Sequence, residues 1–166
     1  MANRDWYTNK VWNADIEVAF FKKLARARDK AQYLKIQAGL LRTSHPKVSL
    51  MLLERYFALD ENFWNAPVYE IQADACKALG DFEGACAALE KALLRVTEFP
   101  GVGCGAALSL PVLIATERMT SLYARGFELL TLERGPFVFP VQSYYWHGAN
   151  ALLLYETGRL CSASVL

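Results

Sequence analysis

The chain has 166 residues, of which 54% are hydrophobic and 21% are charged, and its formal net charge at pH 7 is +1. This length suits one domain that can bury a sizeable core. The composition excludes an intrinsically disordered chain, which would be poorer in aromatic residues and richer in unbalanced charge. The near-neutral balance provides no overall attraction to nucleic acid or to acidic lipid.

Apolar residues recur at helical spacing along almost the whole chain, and short turn signals separate the runs. Asn13 is predicted to cap the first helix, and Pro46 suits the first turn of the third. Pro111 either starts or kinks the sixth helix. In chain order, helices are predicted over 15–28, 30–42, 46–59, 66–79, 82–97, from the end of the glycine-rich segment 101–105 to 119, over 121–133 and over 140–157.

No run of alternating polar and apolar residues reaches a useful length, and the one strand-like stretch is the short apolar run 137–139, so the fold class is predicted to be all-α. Residues 159–166 could begin a ninth helix but are too few to complete it.

Short helices joined by short turns are typical of proteins built from repeats of about 34 residues. The segment that fits such a repeat best is 66–99. In this unit a Gly80-Asp81 turn separates two helices, Phe82 opens the second, and Ala85 and Ala92 supply small side chains where the helices approach each other. We expect Leu79, Phe82 and Leu89 to fill the seam between them.

This pattern resembles the tetratricopeptide repeat (TPR), and the chain as a whole is similar to bacterial TPR proteins. Two weaker units, 30–63 and 107–140, place Ser49 and Gly126 where the best unit has Ala85. The resemblance implies one domain over 1–166, built as a right-handed superhelical stack of antiparallel helical hairpins with about eight helices. Segment 1–29 would precede the repeats, and 141–166 would supply a terminal helix.

In TPR proteins the first helix of each hairpin lines a concave groove that holds a peptide or a partner's helix. The resemblance therefore implies a non-catalytic scaffold or adaptor that binds a protein or peptide. The implied groove positions are Leu34, Ala38, Arg42, Glu70, Asp74, Lys77, Ala115, Arg118, Tyr145 and Glu156. Of these, we select as partner-binding residues Arg42, Glu70, Asp74, Lys77, Arg118, Tyr145 and Glu156.

No motif for a catalytic, cofactor or metal site is recognisable. The four cysteines, Cys76, Cys86, Cys104 and Cys161, form no C-x-x-C pair, and only two histidines accompany them. The glycine-rich segment 101–105 lacks the lysine and hydroxyl residue of a phosphate loop. We expect free thiols in a cytoplasmic protein with no cofactor and no metal.

Two stretches without charged residues, 99–116 and 135–155, are long enough to span a bilayer. Their glycines, prolines and polar residues argue against that, and the N-terminus lacks the apolar core of a signal peptide. A basic run from Lys22 to Arg42 could meet nucleic acid, although solvated helix faces explain it more simply, and we expect no nucleic-acid partner.

Two alternative functions remain open. Aromatic residues crowd the last unit, so one alternative is a small-ligand or enzymatic pocket at Tyr144, Trp146 and His147. The other is a mainly structural protein that assembles with itself. A repeat stack ends in an apolar face unless it is capped, so we predict a homodimer through the end near 152–155.

Overall fold

The computed structural model describes residues 6–59, 65–133 and 135–159. They form eight α-helices, one short 3₁₀ turn over Thr120–Leu122 and no β-strand. The predicted all-α class is therefore confirmed for this part of the chain. The helices are α1 (Ala14–Ala25), α2 (Lys30–Leu41), α3 (Pro46–Phe57), α4 (Asn65–Ala78), α5 (Phe82–Glu98), α6 (Ala106–Thr116), α7 (Tyr123–Leu132) and α8 (Pro140–Glu156).

Within the described ranges, no helix combines the length and the apolar character needed to cross a membrane. The predicted ninth helix falls largely on 160–166, outside the described residues.

Local side-chain chemistry fixes where several helices begin. Asn13 caps α1 as predicted, because its Oδ1 accepts a hydrogen bond of 2.9 Å from the backbone N–H of Ile16. Asp29 and Asp81 cap α2 and α5 in the same way. Each cap satisfies a backbone donor that the first helical turn leaves unpaired.

Two predicted boundaries were wrong at helix ends. α1 stops at Ala25 rather than at residue 28, because Asp29 caps α2 and the intervening residues must reverse the chain. α6 stops at Thr116 rather than at 119, because Arg118 adopts a left-handed conformation with φ 52°. Pro111 does not start α6, because it lies inside that helix and is buried there.

By its internal contacts the chain divides into two compact units, residues 1–103 and 104–166. The first holds α1 to α5 and the second holds α6 to α8. The predicted repeat units coincide with pairs of consecutive helices, namely α2 with α3, α4 with α5 and α6 with α7. The prediction that 1–166 is a single repeat domain stays a prediction.

In the first unit α2 packs against α3, α3 against α4, and α4 against α5, while α2 also touches α4. The side chains expected at the close helix crossings are buried, including Ala85, Ala92 and Leu89. Ser49 is buried as well, and its hydroxyl donates a hydrogen bond of 2.9 Å to the carbonyl of Ala38 across the α2–α3 seam. The expectation for Leu79 was wrong, because it lies in the turn just after α4 and is 41% exposed.

The segment before α1 is held on α2 by polar and aromatic contacts. The side chain of Gln37 is fully buried and exchanges hydrogen bonds with the backbone N–H and carbonyl of Asn9. Beside this contact the ring of Trp6 lies 4.9 Å from that of Tyr33 and 5.4 Å from that of Phe20. Through these contacts the segment before α1 packs aromatic rings against α1 and α2.

In the second unit α6 packs against both α7 and α8, and α7 packs against α8. Gly126 makes this packing close, because a Cβ at that position would lie 3.0 Å from a methyl group of Leu153 and 3.5 Å from one of Ile114. The indole N–H of Trp146 donates a hydrogen bond of 2.9 Å to the carbonyl of Leu130, which ties α8 to the end of α7.

Candidate functional site

Three of the predicted partner-binding residues meet between α2 and α4. Arg42 lies at the C-terminal end of α2, and Asp74 and Lys77 lie one turn apart on α4. The Nε atom of Arg42 is 3.0 Å from Oδ2 of Asp74, and Nζ of Lys77 is 2.7 Å from Oδ1 of the same carboxylate. One carboxylate therefore lies between two cations that α2 and α4 bring together. We call Arg42, Asp74 and Lys77 the basic-acidic cluster.

Close packing of α2 on α4 positions this cluster. A Cβ added to Gly39 would lie 3.4 Å from the side chain of Ile71, so the two helices approach tightly one turn before Arg42. The Nη1 group of Arg42 donates to the carbonyl of Gly39, which fixes the guanidinium at the helix end. Each of the three charged side chains remains more than a third exposed and can reach a ligand from solvent.

Glu70 lies one helical turn before Asp74 on α4 and is partly buried. Residues four apart on a helix share a face, so Glu70 extends the surface of the basic-acidic cluster toward the start of α4. The four predicted residues of the first unit thus lie along one strip.

In the second unit the structure joins two predicted residues and separates the third. Nε of Arg118, just after α6, is 3.3 Å from Oε1 of Glu156 at the end of α8. Tyr145 lies eleven residues earlier on α8, roughly 16 Å along the helix axis. Its ring is 5.7 Å from that of Tyr144 in an edge-on arrangement. Tyr145 therefore belongs to a different patch from the ion pair.

Three of the implied groove positions are not on a surface at all. Leu34, Ala38 and Ala115 are all at least 97% buried. α2 is apolar on a wide arc and α6 is packed by both neighbours, so these three of the residues transferred by the weaker repeat alignments belong to the core. The groove expectation for these three was wrong.

The buried cysteines are shielded thiols. Burial raises the pKa of Cys86 to about 11, and the carboxylates of Glu90 and Glu83 act in the same direction. Burial also raises the pKa of Cys76, as does Asp81, which accepts a hydrogen bond from this thiol. A reactive thiol needs a lowered pKa, so neither group is suited to nucleophilic chemistry.

Cys76, Cys86 and Cys104 take part in no disulfide among the described residues, and Cys161 falls outside those residues. Within the described residues no three His, Cys, Asp or Glu side chains gather as they would around a metal ion.

One feature that the sequence did not indicate is a cleft between α3 and α5, with α4 as its floor. Its volume is about 320 Å³, and Glu54, Gln72 and Lys91 contribute polar side chains to it. The Oε1 atom of Gln72 is buried and has no hydrogen-bond partner within the part of the chain that the structure describes. No sequence signal could have found it, since its residues come from three helices.

A second cavity adjoins the start of α8. It measures about 300 Å³ and is lined by Gly135, Phe137, Trp146 and His147. The rings of Trp146 and His147 lie 4.9 Å apart and nearly perpendicular. The lining is almost wholly apolar. This cavity contains two of the three residues that the sequence suggested for a ligand pocket, while Tyr144 is not among them.

Comparisons of the chain with protein-family models, with curated proteins and with solved structures found no match.

Proposed function

We propose that the protein is a non-catalytic TPR-like scaffold, whose hairpins stack as a right-handed superhelix and whose first-helix face binds an extended peptide or a segment of a partner protein. The observation that carries the proposal is the basic-acidic cluster, which is partly exposed and spans the first helices of two consecutive hairpins.

The packing order within each unit supports the TPR-like part of the proposal. A second helix packs between its own first helix and the first helix of the next hairpin, as with α3 between α2 and α4. The same relation links α7 to α6 and α8. Small residues occupy comparable positions in the three second helices, namely Ser49, Ala85 and Gly126, and all three are buried.

Helix ends supply a second line of support. α4 ends in Gly80 with φ 75°, α6 is followed by Arg118 with φ 52°, and α8 by Gly158 with φ 69°. After both Gly80 and Arg118 the next backbone N–H bonds to a carbonyl five residues earlier. That is the Schellman arrangement, so the two units end a first helix by the same device.

The charged side chains on the first helices indicate what kind of peptide this face would bind. In each unit an arginine at the end of one first helix pairs with a carboxylate on the next, Arg42 with Asp74 and Arg118 with Glu156. A guanidinium has five N–H donors. The described contacts of Arg42 use Nε and Nη1, and Arg118 is mostly exposed. A peptide with a carboxylate and backbone amide groups can engage both signs of such a face.

The test is selection of peptides from a random displayed library on the wild-type protein, followed by calorimetry with the selected peptides. We expect the double variant Asp74→Lys with Arg118→Glu to weaken their binding at least about tenfold, as loss of a charge-assisted contact does. Lys23→Glu on the exposed side of α1 is the matched control and should bind like wild type. Equal loss in both variants, or no selectable peptide, would contradict the proposal.

A second candidate function follows from the cavity at Gly135, Phe137, Trp146 and His147. Its apolar walls and single imidazole suit a small aromatic ligand. A library of such compounds should raise the melting temperature of the wild type and not of His147→Ala. Such a rise in melting temperature would support the small-ligand function. A rise with peptides alone would support the scaffold.

A further inference from the structure

The exposed side of α8 is an apolar strip that no described residue of the second unit covers. Ala149 and Leu153 turn one side of the helix into the core. The side turned away from the core shows Tyr144 at 74% exposure and Tyr155 at 69%. Val141, Tyr145 and Leu152 lie on the flank between the two sides, and all three are above 40% exposed. Such a concentration of large exposed apolar side chains on one helix typically marks an interaction surface.

The strip follows a seven-residue spacing that is typical of paired helices. Val141, Gly148 and Tyr155 form one row, Tyr144 and Ala151 a second, and Tyr145 and Leu152 a third beside them. Rows of this kind form a continuous seam along one face of a helix, which a second helix can pack against. We call these seven residues the α8 seam.

The seam has small residues at its centre. Gly148 and Ala151 are exposed, and a Cβ added to Gly148 would have no atom within 4 Å. The protein's own packing therefore does not require a glycine at 148. A small residue at the middle of an exposed helix face permits the backbone of another helix to approach closely.

We propose that the α8 seam pairs with the α8 seam of a second copy of this chain, in antiparallel orientation about a two-fold axis that passes near Gly148. In this arrangement Val141 faces the partner's Tyr155, Tyr144 faces the partner's Leu152, and Tyr145 faces the partner's Ala151. The bulkier side chain of each pair meets a smaller one, which is the fit that close packing needs.

The absence of charge permits two copies to pair and disfavours a charged partner. Residues 135–155 contain no Asp, Glu, Lys or Arg, so two copies of the seam meet without like-charge repulsion. The same neutrality gives a charged peptide nothing to pair with. Recognition at this face is therefore by shape and apolar area.

The exposed area of the α8 seam is large enough for a small dimer interface. With roughly 200 Å² for a tyrosine side chain, the seam exposes on the order of 600 Å² per copy. Complete burial of both seams would remove roughly 1,200 Å² from solvent, which is the lower end of the range for specific interfaces. Tyr145, which the sequence placed in a peptide groove, would then contact a second copy. The pairing does not depend on the proposed function, because it uses neither the basic-acidic cluster nor the Arg118–Glu156 pair.

The experiment is analytical ultracentrifugation over a wide concentration range, with Gly148→Arg as the test variant. We expect the wild type to reach the mass of two chains, and the variant to raise the dissociation constant at least about thirtyfold, as disruption at the centre of an interface does. Leu94→Arg is the control. Leu94 is 65% exposed on α5, so the same charge is added outside the seam and association should not change.

A crosslink tests the geometry. In a background with Cys104→Ser and Cys161→Ser, we expect Gly148→Cys to join two chains through a short bis-maleimide, because the two thiols would lie beside the axis. Leu94→Cys should remain a single chain. A wild type that stays monomeric at every concentration overturns the proposal, and so does a dimer that Gly148→Arg leaves intact.

Discussion

Asp74 accepts a hydrogen bond of 3.0 Å from Nε of Arg42, thirty-two residues earlier in the chain. This contact joins the end of α2 to α4 at a place where both side chains remain partly open to solvent. The contact is therefore a partly exposed ion pair that solvent can screen.

We expect Asp74→Ala to lower the free energy of unfolding by less than about 1 kcal/mol, because partly exposed ion pairs contribute little and are screened by salt. Urea unfolding at low and high salt measures this. The cost should shrink as salt rises. A salt-independent loss of more than about 2 kcal/mol would mean that the pair is a structural element, and would weaken the proposal that it binds a ligand.

Gly126 should be the most sensitive glycine of the second unit. We expect Gly126→Leu to cost about 2 kcal/mol or more of unfolding free energy, since the added side chain has to displace Leu153 and Ile114 from a closely packed seam. Gly148→Leu serves as control, because its side chain meets open space and a helix tolerates leucine better than glycine. Denaturant melts of dilute samples provide both values. Similar losses in the two variants would contradict the packing described.

Arg118 occupies a backbone conformation that favours glycine. We expect Arg118→Gly to stabilise the protein by roughly 0.5–1 kcal/mol, because release of the left-handed strain outweighs the loss of an exposed ion pair with Glu156. Glu117→Gly, at a φ of −91°, should instead destabilise. Thermal melting of both variants against the wild type shows the sign. Destabilisation by both substitutions would mean that the ion pair dominates.

The raised pKa of Cys86 predicts a loss of stability in alkaline solution. Its folded value of about 11 exceeds the ordinary value of 9.0, so the folded chain holds the thiol proton more tightly than the unfolded chain does. The contribution is complete below about pH 9 and is lost as the pH rises toward 11. Unfolding free energies across this range should therefore fall less steeply for Cys86→Ala than for the wild type. Parallel curves would show that this thiol does not titrate as described.

Much of the helix order could be predicted because its signals are local. Apolar spacing and the Gly80-Asp81, His45-Pro46 and Gly135-Pro136 turns fix most helix bounds to within a few residues. The end of α1 and the left-handed Arg118 were missed. Nothing in an arginine signals a glycine-like conformation, and the surrounding fold imposes it.

The candidate site was only partly predictable. Repeat register led to Arg42, Asp74 and Lys77, yet the same register placed Leu34 and Ala38 on a surface when they lie in the core. A repeat alignment transfers positions between helices, but burial depends on how many neighbours each helix has. The pairing of Gln37 with Asn9, twenty-eight residues apart, depends on folded contact and leaves no pattern in the sequence.

The hydrogen bond from the Trp146 indole to the Leu130 carbonyl gives the second unit a built-in optical probe. The first unit has its own in Trp6, whose ring lies among Phe20, Tyr7 and Tyr33 instead of against a carbonyl. These surroundings differ in polarity, so the two indoles should emit at different wavelengths. With Trp12 and Trp64 already replaced by phenylalanine, replacing Trp6 or Trp146 in turn would separate their fluorescence. The chain that keeps both indoles could then report whether its two halves melt together or in turn.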